Sequence, residues 1–207
     1  MTDINRLAGR LKAQDALKRE YYQYHVLPPW WIPVQLKQTE ILQAVASANN
    51  LNFSHLDEIE ADLDAYVTDD TKNKIIGRIG KYAVAAYYGF SMSKVLSKNR
   101  RGYYDFEYKG KRVVVKSTGF LRAESILLGE SDAAADDGPD IYIAANLDID
   151  LKDLYATTVY ITGWVTREGF CQKCFIAEDM KPGLVFLPAP AMSQPKSLLP
   201  CLKLVGA

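Results

Sequence analysis

The sequence predicts an α+β protein with an α/β-type core, helices first and then a mixed central sheet of four to five strands. Three observations predict it. Ile75, Ile76, Ile79, Tyr82, Ala83, Ala86 and Tyr87 recur at helical spacing ahead of Gly89. Two β-rich runs flank Lys109-Gly110, the pattern of a hairpin. Asp140–Ala145 (DIYIAA) and Thr157–Trp164 (TTVYITGW) have the continuous apolar character of strands buried on both faces.

Composition bounds the class. A chain of 207 residues that is 48% apolar and 24% charged suits one globular domain with a helical attachment, and excludes fibrous, collagen-like and wholly disordered chains. Twenty-five basic residues balance twenty-five acidic ones, so no global charge drives non-specific nucleic-acid binding and any charge-driven partner is met locally. No run approaches the roughly 18 apolar residues of a membrane span, and MTDINRLAGRLKAQDALKRE lacks a signal-peptide core. Three cysteines are too few for a disulfide framework, so the expectation is a soluble, cytoplasmic protein.

In chain order, Ile4, Leu7, Leu11, Ala16 and Leu17 give residues 1–24 an amphipathic helical period. The string from Tyr21 to Trp31 breaks it at Pro28-Pro29. Its aromatics are read as anchors for the arm or a second subunit, in preference to stacking on unpaired bases. A second helix is expected over about 36–48, and the acidic residues from Asp57 to Asp64 fall in or near a third. The helix that follows Thr71 has Thr68 or Asp70 as its N-cap and Gly89 as its stop. Gly77 and Gly80 give it a slim face for close packing, at about 1 kcal/mol of helix propensity each. Strands are then expected over 103–108, 112–117, 140–145, 157–164 and 171–177, with 131–139 as a loop. The prolines at 182, 188, 190, 195 and 200 exclude regular helix from the tail, which is read as wrapping the surface. The organisation is an N-terminal helical arm with docking helices over 1–68, the core over 69–180 and the tail over 181–207.

Charge is unevenly placed. Lys94, Lys98, Arg100, Arg101, Lys109, Lys111, Arg112, Lys116 and Arg122 face only Asp105 and Glu107 in the same stretch, so the hairpin is a cationic patch. Residues 124–153 carry nine carboxylates and one lysine. Solvated faces that steady one another account for this as well as a binding surface does.

Gly77-Arg78-Ile79-Gly80-Lys81-Tyr82-Ala83-Val84, then Tyr104-Asp105-Phe106, Gly110–Ser117, Pro139–Ile143 and Ile161–Trp164 form an ordered series. This series resembles the PD-(D/E)XK, restriction-endonuclease-like superfamily, in particular its small phage and bacterial members, over about residues 71–165. The resemblance implies a helix that supplies a carboxylate, a first hairpin strand that supplies an Asp, and a second that supplies an acid and a Lys two positions apart. Hard Mg²⁺ (or Mn²⁺) takes the carboxylate oxygens, and the Lys orients or deprotonates the attacking water. Asp105 matches the strand Asp and Lys116 the Lys, which makes them the implied catalytic pair.

Two positions depart from the pattern. Val114 stands where the second carboxylate belongs, and Lys81 where the helix usually carries Glu. A second ammonium beside Lys116 disfavours a divalent metal and favours an anion, so Lys81, Lys116 and Arg112 are expected to form an anion pocket with Asp105 as counter-ion. Arg100, Arg101, Lys111 and Ser117 are further candidates for phosphate contact. A relocated carboxylate would restore a metal site. Glu107, two residues from Asp105 on one strand face, is the candidate second ligand, and Glu124 is another. Asp140 is read as a support residue and Trp164 as packing at the core edge.

Two functions follow. One is a DNA-directed, Mg²⁺-dependent phosphodiesterase. The other is an inactive member of the same fold, a phage or bacterial accessory protein that binds nucleic acid, or a protein partner or second copy through its N-terminal helices. Cys171-Gln172-Lys173-Cys174 is half a zinc or redox motif without its other half. The sequence shows no P-loop, dinucleotide fingerprint or Ser-His-Asp pattern.

Overall fold

A computed structural model of the protein describes residues 27–90, 104–121, 123, 125–129, 138–176, 184–188 and 191–198. The expected arm helix and residues Arg100, Arg101, Arg122 and Glu124 lie outside them, as does most of the loop expected over 131–139.

Among the described residues the first element is strand β1 (Ile32–Gln35), followed by α1 (Gln38–Ala48), α2 (Leu56–Ala61), α3 (Leu63–Tyr66) and the long α4 (Lys72–Tyr88). Then come β2 (Phe106–Tyr108), β3 (Lys111–Thr118), β4 (Ser125–Gly129), β5 (Ile141–Asp150) and β6 (Asp153–Thr166). Helix α5 (Arg167–Lys173), β7 (Phe175–Ile176) and β8 (Leu184–Pro188) follow. The central sheet has the order β1-β6-β5-β3-β2 and is mixed, because β3 and β5 run parallel while the other pairs are antiparallel. The α+β reading with a mixed sheet of about five strands therefore stands.

The hairpin forms as its sequence dictates. Lys109 (φ 50°) and Gly110 (φ 73°) are both left-handed, the two-residue turn whose twist matches antiparallel strands. Helix α4 stops where Gly89 takes φ 70° and its N–H bonds back to Ala85 O. At its start the expectation is corrected. Thr71 is the cap residue, and its hydroxyl donates to Tyr66 O and accepts from the Thr68 N–H, binding the preceding turn and not the helix.

Helices α1 and α4 pack on one face of the sheet. Ile41, Val45, Ile75, Ile79, Tyr82 and Ala83 close over Val113, Val115, Ile143, Leu147 and Ile161 in the main core. Gly80 makes this approach possible, since a Cβ there would stand 2.7 Å from Ser117 Cβ, whereas at Gly77 it would meet nothing within 4 Å. The opposite face carries a smaller cluster of Val114, Tyr142, Ala144, Val165, Phe170 and Leu187, contributed by the sheet, α5 and β8. One residue, Thr162, is inserted in β6 between the Ala144–Gly163 and Ala145–Ile161 pairs, and this bulge lets Trp164 share the main core with Ile161.

Three further expectations are corrected. Residues 32–35 form an edge strand, with Pro33 opposite Tyr160 at the border where a missing N–H is tolerated. The strand expected over 171–177 is shorter: Cys171–Lys173 belong to α5, which Thr166 caps by accepting from the Gly169 N–H, and Phe175–Ile176 form the strand. The tail is more than a wrap: β8 lies between β4 and β7 in a second, three-stranded antiparallel sheet. Beyond it the Trp164 Nε1–H donates to Gln194 O and Ser197 Oγ, and Tyr88 OH donates to Pro195 O. Among the described residues no helix is long and apolar enough to cross a membrane.

Candidate functional site

Strand periodicity decides what β3 offers to each side. Val113, Val115 and Ser117 face the helices, and Val114, Lys116 and Thr118 face the other way. A cavity of about 180 Å³ opens beside this strand, lined by Val114, Lys116 and Tyr142 from that second side together with Lys81 of α4, Asp105, Val115 and Pro139. It has room for about six waters at roughly 30 Å³ each, more than one tetrahedral oxyanion requires. The four positions that the family resemblance picks out, 81 on the helix, 105 before β2, and 114 and 116 on β3, all line this cavity.

Asp105 is fixed from two sides. Its N–H donates to Val113 O at 2.8 Å, and its Oδ2 accepts the Val115 N–H at 2.8 Å, so the side chain takes the place of a strand carbonyl just before β2 begins. Its other oxygen, Oδ1, lies 2.5 Å from Lys81 Nζ, with the two side chains only 21% (Lys81) and 15% (Asp105) exposed. Such a pair costs desolvation on both sides and holds because Asp105 also has its backbone donor. Lys116 makes no ion pair with the described residues. The lining thus carries two ammonium groups against one carboxylate, with the surplus charge at Lys116.

The remaining candidates are distributed differently. Arg112 does not line the cavity: its Nε sits 3.6 Å from Asp140 Oδ2, which also accepts the Arg112 N–H at 2.7 Å. Asp140 in turn accepts the Arg167 N–H on its carbonyl, so it ties β3, β5 and α5 together as the support residue it was read to be. Ser117 is turned away from the cavity; its hydroxyl is buried against Gly80 with no hydrogen-bond partner among the described residues. Adjacent residues on a strand point to opposite faces, and this overrides its nearness to Lys116 in sequence. Lys111 and Glu107 lie at the hairpin, Glu107 exposed and opposite Arg112, outside the cavity lining.

The described residues do not suit a hard divalent cation. Asp105 is the cavity's one carboxylate among them, both its oxygens are engaged, and Val114 offers no oxygen ligand. Among the described residues no three His, Cys, Asp or Glu side chains converge. Cys171 and Cys174 sit on α5 and at its C-cap, where burial pushes the Cys174 thiol up. Sequence reasoning missed Tyr142 and Pro139 as wall residues. The signal available was β5's register, which sets Val114 opposite Tyr142.

No family model, curated protein or solved structure matches this chain.

Proposed function

We propose that the protein is a restriction-endonuclease-like phosphodiester binder, in which the position of the catalytic metal is held by an internal ammonium. The observation that carries this reading is the Lys81–Asp105 ion pair in a cavity whose remaining charge is Lys116. In the resembled family, carboxylates gather a divalent ion against the scissile phosphate. Here Val114 removes one acid and Lys81 neutralises another, so positive charge meets the phosphate directly. Lys116 donates to a phosphate oxygen, Tyr142 and Pro139 wall off water, and Asp105 sets the position of Lys81. The partner is DNA, gripped through the cavity and the basic hairpin around Lys111. The chain acts as an accessory protein and not as a hydrolase.

The test is retention and cleavage of labelled duplex, single-stranded and branched DNA and of RNA, with Mg²⁺, Mn²⁺ or chelator. Expected is retention without cutting that ignores chelator, weakens as salt rises, and falls about tenfold in Lys116→Ala. Metal-dependent cutting that disappears in Lys116→Ala would replace this reading with an active nuclease using a relocated carboxylate. Neither retention nor cutting would refute it and leave the protein-binding alternative.

A further inference from the structure

Phe120 is 79% exposed, about twice as much as Trp30, Phe53, Tyr87 or Tyr155, the other large hydrophobic side chains at the described surface. A single exposed apolar residue is ordinary. This one stands on a turn that is built to hold it. Asn146, 4% exposed on β5, donates its side-chain amide to both Leu121 O and Ala123 O at 3.1 Å. The Phe120 N–H donates to Thr118 Oγ1, and its carbonyl accepts the Ala123 N–H at 3.0 Å. Gly119 is pressed against α4, where a Cβ would lie 3.0 Å from Ile76 Cδ1. Asn146 alternates on β5 with Ala145 and Leu147 of the main core, so the turn it holds, which carries Phe120, lies over the side of Val114 and Lys116. A buried amide and a close-packed glycine thus fix the backbone beneath a ring that faces water.

We propose that Phe120 is a stacking platform for an unpaired base of the strand whose phosphate lies at Lys116, so that the protein prefers single-stranded nucleic acid. This rests on the phosphate-binding reading of the cavity and extends it to substrate class. Four residue steps, from 116 to 120, separate the two backbones by at most about 13 Å at roughly 3.3 Å per residue, comparable to about four stacked nucleotide steps at roughly 3.4 Å. Every base has a π-face, so stacking is indifferent to sequence. Inside a duplex both faces of each base are already covered, so only an unpaired or terminal base is available. The ammonium of Lys116, without an ion pair among the described residues, supplies the complementary charge for the backbone.

The experiment measures binding, at one fixed ionic strength, of a single-stranded oligonucleotide, the same strand made abasic over its central residues, and the matching duplex. Wild type is compared with Phe120→Ala, Phe120→Trp and Lys116→Ala. Expected is single-strand binding about tenfold tighter than abasic or duplex binding, lost in Phe120→Ala, kept in Phe120→Trp, with the abasic strand unaffected by either change. Lys116→Ala weakens the normal and abasic strands alike. If Phe120→Ala changes nothing, weakens both strands equally, or leaves a wild type that binds duplex as well as single strand, the stacking inference is overturned while phosphate binding at Lys116 stands. If wild type binds none of the three, both fall together.

Discussion

The two sides of β3 are made of neighbouring residues and have opposite fates. Toward the helices, Val113 and Val115 are buried and Ser117 lies so close to α4 that only glycine fits at position 80. Toward the second sheet, Val114 and Tyr142 are buried, but cover stops short of Lys116 and a cavity remains. The helix side is filled, and its substitutions act on stability. The other side is left open around a charge, and its substitutions act on binding. Parity on one eight-residue strand therefore sends Val114 and Lys116 to the site and Val113 and Ser117 to the scaffold, with Val115 touching both.

The strongest way to break this comparison is to add volume on the filled side. Gly80→Val is expected to lower stability in urea denaturation by about 3 kcal/mol, as overpacking does where neighbours cannot give. Gly77→Ala, three residues earlier on the same helix, raises it by about 0.5–1 kcal/mol because its Cβ meets nothing. Equal effects at the two positions would show that close approach to β3 is not what glycine is for.

On the cavity side, Asp105 is the one group expected to serve both stability and site. Asp105→Ala abandons the Val115 N–H and the Lys81 ammonium and costs about 2 kcal/mol. Asp105→Asn keeps an oxygen for Val115 and costs about half of that. Equal losses in the two variants would assign the whole effect to the ion pair.

Alkali sharpens the contrast more gently. Burial pushes the Tyr82 hydroxyl up to about 12, and it raises Tyr88 as well, both on α4. An unfolded tyrosine ionises near pH 10. The folded state therefore holds protons that the unfolded state has lost once pH passes about 10. Stability is complete below that pH and falls by about 1.4 kcal/mol per pH unit for each such tyrosine toward pH 12. Tyr82→Phe should make that decline shallower in denaturation curves collected from pH 9 to 12. An unchanged slope would mean that Tyr82 is not the titrating group.

What the sequence disclosed was local. Lys109-Gly110 and Gly89 were legible because a left-handed backbone demands particular residues, whereas Asp105, Lys116 and Lys81 were picked out by a family resemblance, and the structure brings the three to one cavity. What it concealed was decided at a distance. IPVQ (32–35) becomes a strand only because β6 offers it an edge, and LVFLP (184–188) only because β4 and β7 flank it. Cys171–Lys173 is too short and polar to show either period, and the cap at Thr166 decided for helix. Arg112 was read as free for phosphate because nothing in the sequence showed that Asp140 would take it. Ser117 was placed with Lys116 by adjacency, when parity separates them.

The pairing of β1 with β6 also sets an order of events. Ile32 leaves the ribosome about 130 residues before Ile161, on the order of ten seconds at roughly 5–20 residues per second. Throughout that interval β1 and the apolar side of α1 have no sheet to join. The β5–β6 hairpin, turning tightly at Leu151-Lys152, is local and quick to close, so β1 is seated only after β6 has been made.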